Sequence, residues 1–482
     1  MLFNSINYAI FFPIIFFLYW FIFKKSTEWQ NRILLIASYY FYSCWDWRFV
    51  FLLAFSTILD YLSGIMIHQT ESAIQRKIWL VLSVGLNLIF LGFFKYYNFF
   101  LESFSELLRN FGFTPHYATL KIILPVGISF YTFHGLSYVF DIYYRRIKPT
   151  YNMVNYTLFV SFFPLLVAGP IERATHLLPQ IERPRQFSYS KAVDGLRQIL
   201  WGLFKKIVIA DNCAIYANDM FDYAGNQSGS NLLLGAIFFA FQIYGDFSGY
   251  SDIALGSSRL LGFELLKNFN FPYFSRDIAE FWRRWHISLS SWFKDYVYIP
   301  LGGSKGGNWM RIRNTFIIFL VSGFWHGANW TFIAWGGINA LLIMPSMVFA
   351  TNRNNLEIVA KGKYLPSLRE ALQIIVTFGF IVFTWIFFRS ESITQAFEYI
   401  GGIFDSSLFS FPSIIKKKSL SLMLLIIFFF FIEWLGRENN FAIEKISFGN
   451  NRIIRWVFYA SIIFLIGMYM QIGGSEFIYF QF

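Results

Sequence analysis

The chain has 482 residues, of which 56% are hydrophobic, 22% aromatic and only 14% charged. An ordinary soluble domain has roughly 25% charged residues, so this composition excludes a water-soluble globular enzyme. The net charge of +12 invites a nucleic-acid partner, but Lys and Arg gather in short loops between apolar runs, as membrane topology requires, and we expect no nucleic-acid binding.

Apolar runs of about the length that spans a bilayer as a helix, roughly 20 residues, recur along the whole chain. Examples are 8–23, 78–94, 153–169, 232–244, 371–388, 419–435 and 453–470. We therefore predict an all-α polytopic membrane protein with roughly 11 to 13 membrane-embedded helices, some of them re-entrant. The whole chain, 1–482, is interpreted as one membrane domain with a motif-bearing core at about 121–345.

Basic residues predict the orientation of the loops. No positive region precedes the first run, so we expect no cleavable signal peptide. Lys and Arg within 24–32 and within "YYRRIKPTY" at 143–151 predict that both loops are cytoplasmic. Segment 221–232 contains neither residue and is predicted to lie outside. The uncharged tail "MLFNSINY" and segment 471–482 also lack both, which predicts that both chain ends face outward.

Glycine and proline interrupt the apolar runs of the core, in "ILPVGISFYTF", "FPLLVAGPIER", "IYGDFSGYSDIALG" and "YVYIPLGGSKGGNW". Broken backbone at membrane depth is tolerated only where it is buried in protein or lines a cavity. We therefore predict interrupted helices around a central tunnel. In "GPIER" the Gly-Pro pair ends a helix, and Glu172 and Arg173 are expected at the membrane interface, as anchors of the helix end or as substrate contacts.

Two carboxylates, Asp246 and Asp252, lie in the apolar stretch 242–262, where glycines allow close helix approach. Buried carboxylates need partners, so they either pin neighbouring helices or line a wet cavity. Both are candidate channel-lining residues, as is Asn329. Six residues apart, the two acids lie on different sides of a helix and are not an acid/base pair.

Segment 279–304 predicts a basic amphipathic helix that lies in the plane of the membrane interface. Its apolar stripe comprises Phe281, Trp285, Leu289 and Trp292, and its polar face comprises Arg283, His286, Ser290 and Lys294. The polar face either anchors the protein at the membrane surface, or Arg283 and Lys294 bind a phosphate-bearing substrate while His286 points into the cavity. The following glycines lack P-loop spacing.

The six histidines differ in their surroundings. His68, His116 and His176 fall in polar joints and are interpreted as surface residues, and His134 as a buried, hydrogen-bonded residue. His326 lies in "FLVSGFWHGANWTFIAW" (319–335), a stretch without any Asp, Glu, Lys or Arg. A titratable group at membrane depth usually has a function, and the small residues around His326 leave space for a ligand.

Neutral histidine can take a proton from a hydroxyl group, so His326 suits a general base for acyl transfer from a thioester to an alcohol. A structural hydrogen bond between helices is the plainer alternative. The two cysteines, Cys44 and Cys213, lack metal-ligand spacing, and we predict no metal site.

Four segments resemble signature blocks of the membrane-bound O-acyltransferase superfamily, in the branch of the alginate O-acetylation and D-alanyl-lipoteichoic acid synthesis membrane proteins. They are "GPIERATHLLPQI", "QIYGDFSGYSDIALG", "FWRRWHISLSSWFKDYVYIPLGGS" and "SGFWHGANWTFIAWG". The resemblance implies that His326 is the catalytic histidine and His286 the second important one. Where many relatives have a further histidine, this chain has Asn339, and where relatives often have Gln it has His134.

The resemblance also implies a donor, an acceptor and a partner. We expect transfer of an acyl group, acetyl from acetyl-CoA above all, from the cytoplasmic side to a hydroxyl on a surface polysaccharide or on an extracytoplasmic partner protein. The donor is a substrate, and no tightly bound cofactor is expected. We also expect a multi-pass protein of a bacterial cytoplasmic membrane.

Three alternatives remain open at this stage. A transporter or flippase would use intramembrane His and Asp residues as a proton pathway, but it predicts repeats that the sequence lacks. A passive assembly scaffold would tolerate exchange of both His326 and His286. Within the enzyme class, the acceptor could be a lipid or a protein N-terminus, and the acyl group could be D-alanyl or longer.

Overall fold

The computed structural model describes residues 1–113, 119–167, 169–445, 451–471 and 477–478. Across these ranges the chain is helical and forms no β-strand, which confirms the all-α class. The residues group into two compact units, Met1–Ser188 with Leu260–Leu265, and Tyr189–Arg259 with Leu266–Phe482. His116 and most of the C-terminal segment 471–482 lie outside the described residues.

The first unit contains eight helices within its described residues: α1 Ile6–Phe17, α2 Thr27–Ser43, α3 Arg48–Gln69, α4 Ala73–Asn110, α5 Ile128–Tyr143, α6 Met153–Ser161, α7 Phe163–Leu166 and α8 Ala174–Glu182. Hydroxyl and amide side chains start several of them. Ser5 and Asn152 each accept a hydrogen bond from a first-turn N–H of the helix that follows.

The second unit contains α9 to α19: α9 Tyr189–Leu203, α10 Asp211–Asp222, α11 Gly229–Leu260, α12 Ile278–Arg284, α13 Ile287–Phe293, α14 Gly307–His326, α15 Trp330–Val348, α16 Leu368–Arg389, α17 Ile393–Ile403, α18 Lys417–Gly436 and α19 Arg452–Tyr469. Turns of π-helix extend α1, α9 and α13 at Leu18–Ile22, Phe204–Ala210 and Lys294–Tyr298. Short 3-10 turns occupy Ala224–Asn226, Pro272–Phe274 and Ser406–Phe409.

Seven helices in the described ranges are long and apolar enough to cross a membrane, namely α3, α4, α11, α15, α16, α18 and α19. Two shorter apolar stretches are Ile6–Ile22 and Met153–Leu166. Many of these helices leave large apolar side chains exposed, and in α19 only Ile462 is buried. Such exposure fits a lipid environment, so the chain is a multi-pass membrane protein. The count of 11 to 13 embedded helices and the tunnel stay predictions.

The predicted interruptions are confirmed in unit 1. The chain enters α5 through Gly127, whose φ of 74° is left-handed, and α6 is separated from α7 at Phe162. The expectation that Glu172 and Arg173 lie at the membrane interface stays a prediction. Both side chains are buried, and Glu172 Oε2 accepts a hydrogen bond from the His176 Nδ1–H over 2.8 Å. The buried position of His134 and the exposed position of His68 agree with the sequence.

The interruption predicted in 242–262 is wrong, because α11 runs unbroken from Gly229 to Leu260. Its glycines serve close helix packing instead. A Cβ atom on Gly256 would lie 2.5 Å from the Gly195 carbonyl oxygen, and one on Gly249 would lie 2.8 Å from that of Gly202. The small-residue face of α11 therefore lets the backbone of α9 approach directly.

Candidate active site

The single amphipathic helix predicted over 279–304 is wrong. The chain breaks between α12 and α13 at His286, whose φ of 44° and ψ of 55° are left-handed. The four residues of the predicted apolar stripe, Phe281, Trp285, Leu289 and Trp292, are all buried, so the stripe packs against the protein itself.

Main-chain hydrogen bonds from the preceding loop stabilise the break. The Ile287 N–H donates to the Asn268 carbonyl at 2.9 Å, and the Asn270 N–H donates to the Arg284 carbonyl at 3.0 Å. The Ser288 hydroxyl donates to Asn268 Oδ1, and Asn268 Nδ2 donates to the Ser251 hydroxyl on α11. The loop thus takes the backbone groups that a continuous helix would pair internally.

The left-handed backbone presents His286 to a cavity of about 510 Å³ that also reaches His326. Left-handed conformations are uncommon for residues other than glycine, and such strain clusters at functional sites. Both nitrogens of the buried His286 ring have no hydrogen-bond partner in the described part of the chain. The cavity is therefore lined by a polar group that a ligand can satisfy.

His326 is the last residue of α14 and is 5% exposed. Three aromatic rings surround its imidazole: the ring centroids of Trp325, Trp335 and Phe388 lie 4.9, 5.1 and 5.3 Å away. Close packing of α14 on α15 holds this position, because a Cβ atom on Gly323 would lie 2.3 Å from the Phe332 carbonyl oxygen. Gly323 therefore sets the approach of α15 to the catalytic candidate.

The Trp325 ring connects the two histidines, with its centroid 6.0 Å from that of His286 and 4.9 Å from that of His326. His286 lies outside the seven candidate spans, and burial lowers the pKa of its imidazole to about 3. It is therefore neutral near pH 7, with one ring nitrogen that can donate a hydrogen bond and one that can accept it. Most of the cavity wall is apolar, including Trp282, Phe319 and Leu356.

A charged segment that the sequence did not assign to the site forms part of this wall. Asn352, Arg353 and Leu356, from the loop between α15 and α16, line the cavity beside Arg283. The Arg283 guanidinium donates to the carbonyls of Asn352 and Asn355 at 2.6 and 2.9 Å. We call residues 352–363 the strap.

Other arginines fasten the strap through its main-chain oxygens. Arg437 donates to the carbonyls of Val359 and Ala360 at 2.9 and 2.7 Å, and Arg276 donates to that of Glu357. Asn355 Nδ2 also donates to Asp277 Oδ2 at 2.6 Å. The strap has no hydrophobic periodicity, so its basic residues are the only sequence feature that could have predicted a role in the site.

The remaining predicted site residues lie elsewhere. Lys294 is exposed and is not part of the cavity wall. Asn329 starts α15, where its Oδ1 accepts the Thr331 N–H and its Nδ2 donates to the Glu391 carbonyl. Asn339 is buried and donates to the Trp335 carbonyl at 2.8 Å.

Asp246 and Asp252 do not line the cavity of the two histidines and belong to a buried charge network. Asp246 Oδ1 lies 2.8 Å from Lys206 Nζ, and Asp252 Oδ2 lies 2.6 Å from Lys205 Nζ. Glu433 on α18 accepts hydrogen bonds from the Trp201 indole and the Tyr244 hydroxyl. These contacts support the reading that the carboxylates pin helices, although Asp252 also lines a small cavity of about 20 Å³.

Comparison with known proteins supplies an independent finding. Residues 143–389 match the profile described as MBOAT, membrane-bound O-acyltransferase family. Over 404 residues the chain is 37% identical to the probable alginate O-acetylase AlgI of Pseudomonas aeruginosa, covering 83% of this chain and 74% of that protein. It is 35% identical to the peptidoglycan O-acetyltransferase of Helicobacter pylori over 79% of this chain and 75% of that protein.

A more distant relative transfers a different group by name. The teichoic acid D-alanyltransferase of Bacillus subtilis is 30% identical over 295 residues, which cover 58% of this chain and 71% of that protein. The matched profile includes both His286 and His326 and the whole strap.

Proposed function

Because the chain belongs to the membrane-bound O-acyltransferase family and is an O-acyltransferase, we propose that it carries acetyl from a cytoplasmic thioester to a hydroxyl group outside the membrane. The donor in this proposal is acetyl-CoA, and the membrane is the cytoplasmic membrane of a bacterium. The observation that carries the proposal is the shared cavity of His286 and His326.

In the proposed reaction His326 is the general base. It takes the proton of the acceptor hydroxyl, whose oxygen attacks the thioester carbonyl carbon. The carbon–sulfur bond then breaks, and the leaving thiolate takes the proton back from the imidazolium. The products are an O-acetyl ester and free CoA. General-base catalysis of this kind accelerates a reaction about 10²- to 10⁴-fold.

His286 is proposed as a positioning and relay residue. Its neutral ring faces the same cavity with two unsatisfied nitrogens, so it can hold a water molecule or the acceptor hydroxyl in line with His326. The left-handed backbone sets the position of this ring, whose nitrogens have no hydrogen-bond partner among the described residues.

The donor is proposed to enter beside the strap. Arg283 and Arg353 both line this side of the cavity, and guanidinium groups bind phosphate well. The strap and the residues that follow it are basic, with Lys361, Lys363 and Arg369, which favours a cytoplasmic location of this loop. The phosphate groups of CoA would then meet arginine while the acetyl group reaches the histidines. Lys294 has no part in this proposal.

The acceptor is proposed to be a cell-surface polysaccharide, reached directly or through an extracytoplasmic partner protein. The relatives are named for alginate, peptidoglycan and teichoic acid. The aromatic rings around His326 restrict the space beside its imidazole, which favours a small acyl group such as acetyl.

Radiolabelled acetyl-CoA supplied to membranes that contain the protein tests this function. We expect CoA release and label in a carbohydrate fraction or a partner protein, as an ester that hydroxylamine cleaves. His326→Ala at equal expression is expected to transfer no label above background. Tyr189→Ala is the control, since Tyr189 is exposed and is not part of the cavity wall. Transfer by His326→Ala at the wild-type rate would refute the proposed base.

A further inference from the structure

A second cavity, of about 700 Å³, lies in the first unit where three helices end. Its wall comprises the end of α3 with the residues that follow it, Arg76 at the start of α4, and Ile142 to Lys148 at the end of α5. Helices α3 and α4 are both candidate spans, and only residues 70–72 join them. The cavity therefore opens at the level of a membrane surface.

The wall of this cavity is strongly basic. Four cationic side chains line it, Arg76, Arg145, Arg146 and Lys148, together with His68 and the single carboxylate of Glu71. Asp141, buried beneath, forms an ion pair with Arg146 at 3.0 Å. Even after both carboxylates are counted, positive charge remains in excess.

Arg145 occupies a backbone position that glycine usually fills. Its φ is 58°, and it follows the C-cap of α5. The Arg145 N–H donates to the Ile142 carbonyl at 3.0 Å and the Arg146 N–H to the Asp141 carbonyl at 2.8 Å, the two hydrogen bonds of a Schellman motif. Glycine would form this turn with less strain, so the arginine side chain at this position comes at a cost in backbone energy.

Arg76 is fixed in the same wall. Its Nη2 donates to the Tyr143 carbonyl at 2.6 Å, and its guanidinium lies 5.5 Å from the centroid of the Tyr143 ring. Its buried Nε has no hydrogen-bond partner among the residues that the structure describes. Tyr144, the next residue after Tyr143, is exposed, as tyrosines are at the headgroup level of a membrane.

We propose that this basic cavity binds the phosphate of an anionic phospholipid headgroup. Its volume is within the range of small-ligand sites, and forked guanidinium groups match phosphate oxygens. Clusters of Lys and Arg directly beside membrane spans are attracted to anionic lipids. A free phosphate has the same charge chemistry, but the position of the cavity at the ends of two spans favours the lipid.

The test measures lipid retention, which does not depend on acyl transfer. The full-length protein is equilibrated with radiolabelled phosphatidylglycerol in micelles that contain excess phosphatidylcholine, and bound label is counted after gel filtration. We expect unlabelled phosphatidylglycerol to displace the bound label, and we expect that added phosphatidylcholine does not displace it. Displacement by inorganic phosphate at the same concentration would overturn the assignment to a lipid.

The double variant Arg145→Gly, Lys148→Gln removes two of the cations and gives the turn its preferred residue. We expect retention of phosphatidylglycerol to fall on the order of tenfold, with unchanged thermal unfolding. The control Lys24→Gln, Lys25→Gln removes two exposed cations from the same unit outside the cavity and is expected to bind like wild type. Equal loss in both variants, or no loss in the first, would refute the site.

Discussion

At the residue scale, the sequence identified the two histidines that share the cavity. His326 stood out because an apolar stretch without other charges contains it, and His286 because the block around it resembles a known family. Arg283 also lines the cavity, and its predicted role in binding the donor stays a prediction. Arg353 was missed, because the spacing of residues in the sequence does not predict that this loop lines the same cavity as Arg283.

The carboxylates illustrate the limit of residue-level reasoning. Asp246 and Asp252 were open candidates for a channel, and their partners Lys205 and Lys206 lie on a π-helical turn about 40 residues earlier in the chain. Pairing across such a distance depends on the packing of α9 on α11. A single sequence does not contain that information.

A pH dependence follows from the environment of His286. Its pKa is lowered to about 3, so the ring stays neutral above that pH and does not titrate between about pH 5 and 8. We expect His286→Gln to reduce the rate of acyl transfer while leaving the midpoint of the acid limb unchanged. The measurement is CoA release against pH for both proteins. A shift of that midpoint by more than about half a pH unit would show that His286 itself titrates there.

At the element scale, the apolar runs predicted the long helices, and periodicity failed at the short helices of 279–304. Every apolar run named from the sequence lies largely on helix, because the length and the apolar composition of a segment are enough to predict a membrane-spanning helix. The break at His286 was missed because main-chain hydrogen bonds from the loop at Asn268 and Asn270 compete with the helix. In α11 the opposite occurred: its glycines suggested a break, and they serve close packing.

The close packing of α11 gives a stability prediction. A Cβ atom on Gly256 would lie 2.5 Å from the Gly195 carbonyl oxygen, and backbone cannot move aside as a side chain can. We expect Gly256→Ala to destabilise the protein by about 1–3 kcal/mol. Thermal unfolding in detergent, followed by size-exclusion chromatography, measures the effect.

Gly379→Ala in α16 is the matched control. Among the residues that the structure describes, no atom outside this helix lies within 4 Å of the new Cβ position, so we expect unchanged or slightly raised stability. A lower melting temperature for both variants would mean that glycine stabilises these helices by its flexibility and not by allowing close packing. Equal stability of wild type and Gly256→Ala would refute the packing argument.

At the scale of the whole molecule, the sequence predicted an all-α membrane enzyme correctly, from composition and from family resemblance. Its direction of transfer stays a prediction. Basic residues beside the strap and in the loop at 143–151 both favour a cytoplasmic location. Acetyl-CoA is charged and does not cross a bilayer, so the donor side is decided by topology.

Sealed vesicles of opposite orientation test that direction. We expect inverted vesicles, which expose the cytoplasmic face, to consume external acetyl-CoA, and right-side-out vesicles to consume none until a detergent opens them. Consumption by intact right-side-out vesicles would place the donor entrance outside and contradict the proposed path beside the strap.

The central claim is that His326 and His286 act together on one transfer, and a double-mutant comparison tests it most directly. Rates of CoA release are measured for wild type, His326→Gln, His286→Gln and the double variant at equal amounts of folded protein. We predict a loss of about 10³-fold for His326→Gln, a smaller loss for His286→Gln, and a double variant no slower than His326→Gln. Losses that multiply in the double variant would contradict the claim, because the two histidines would then act independently.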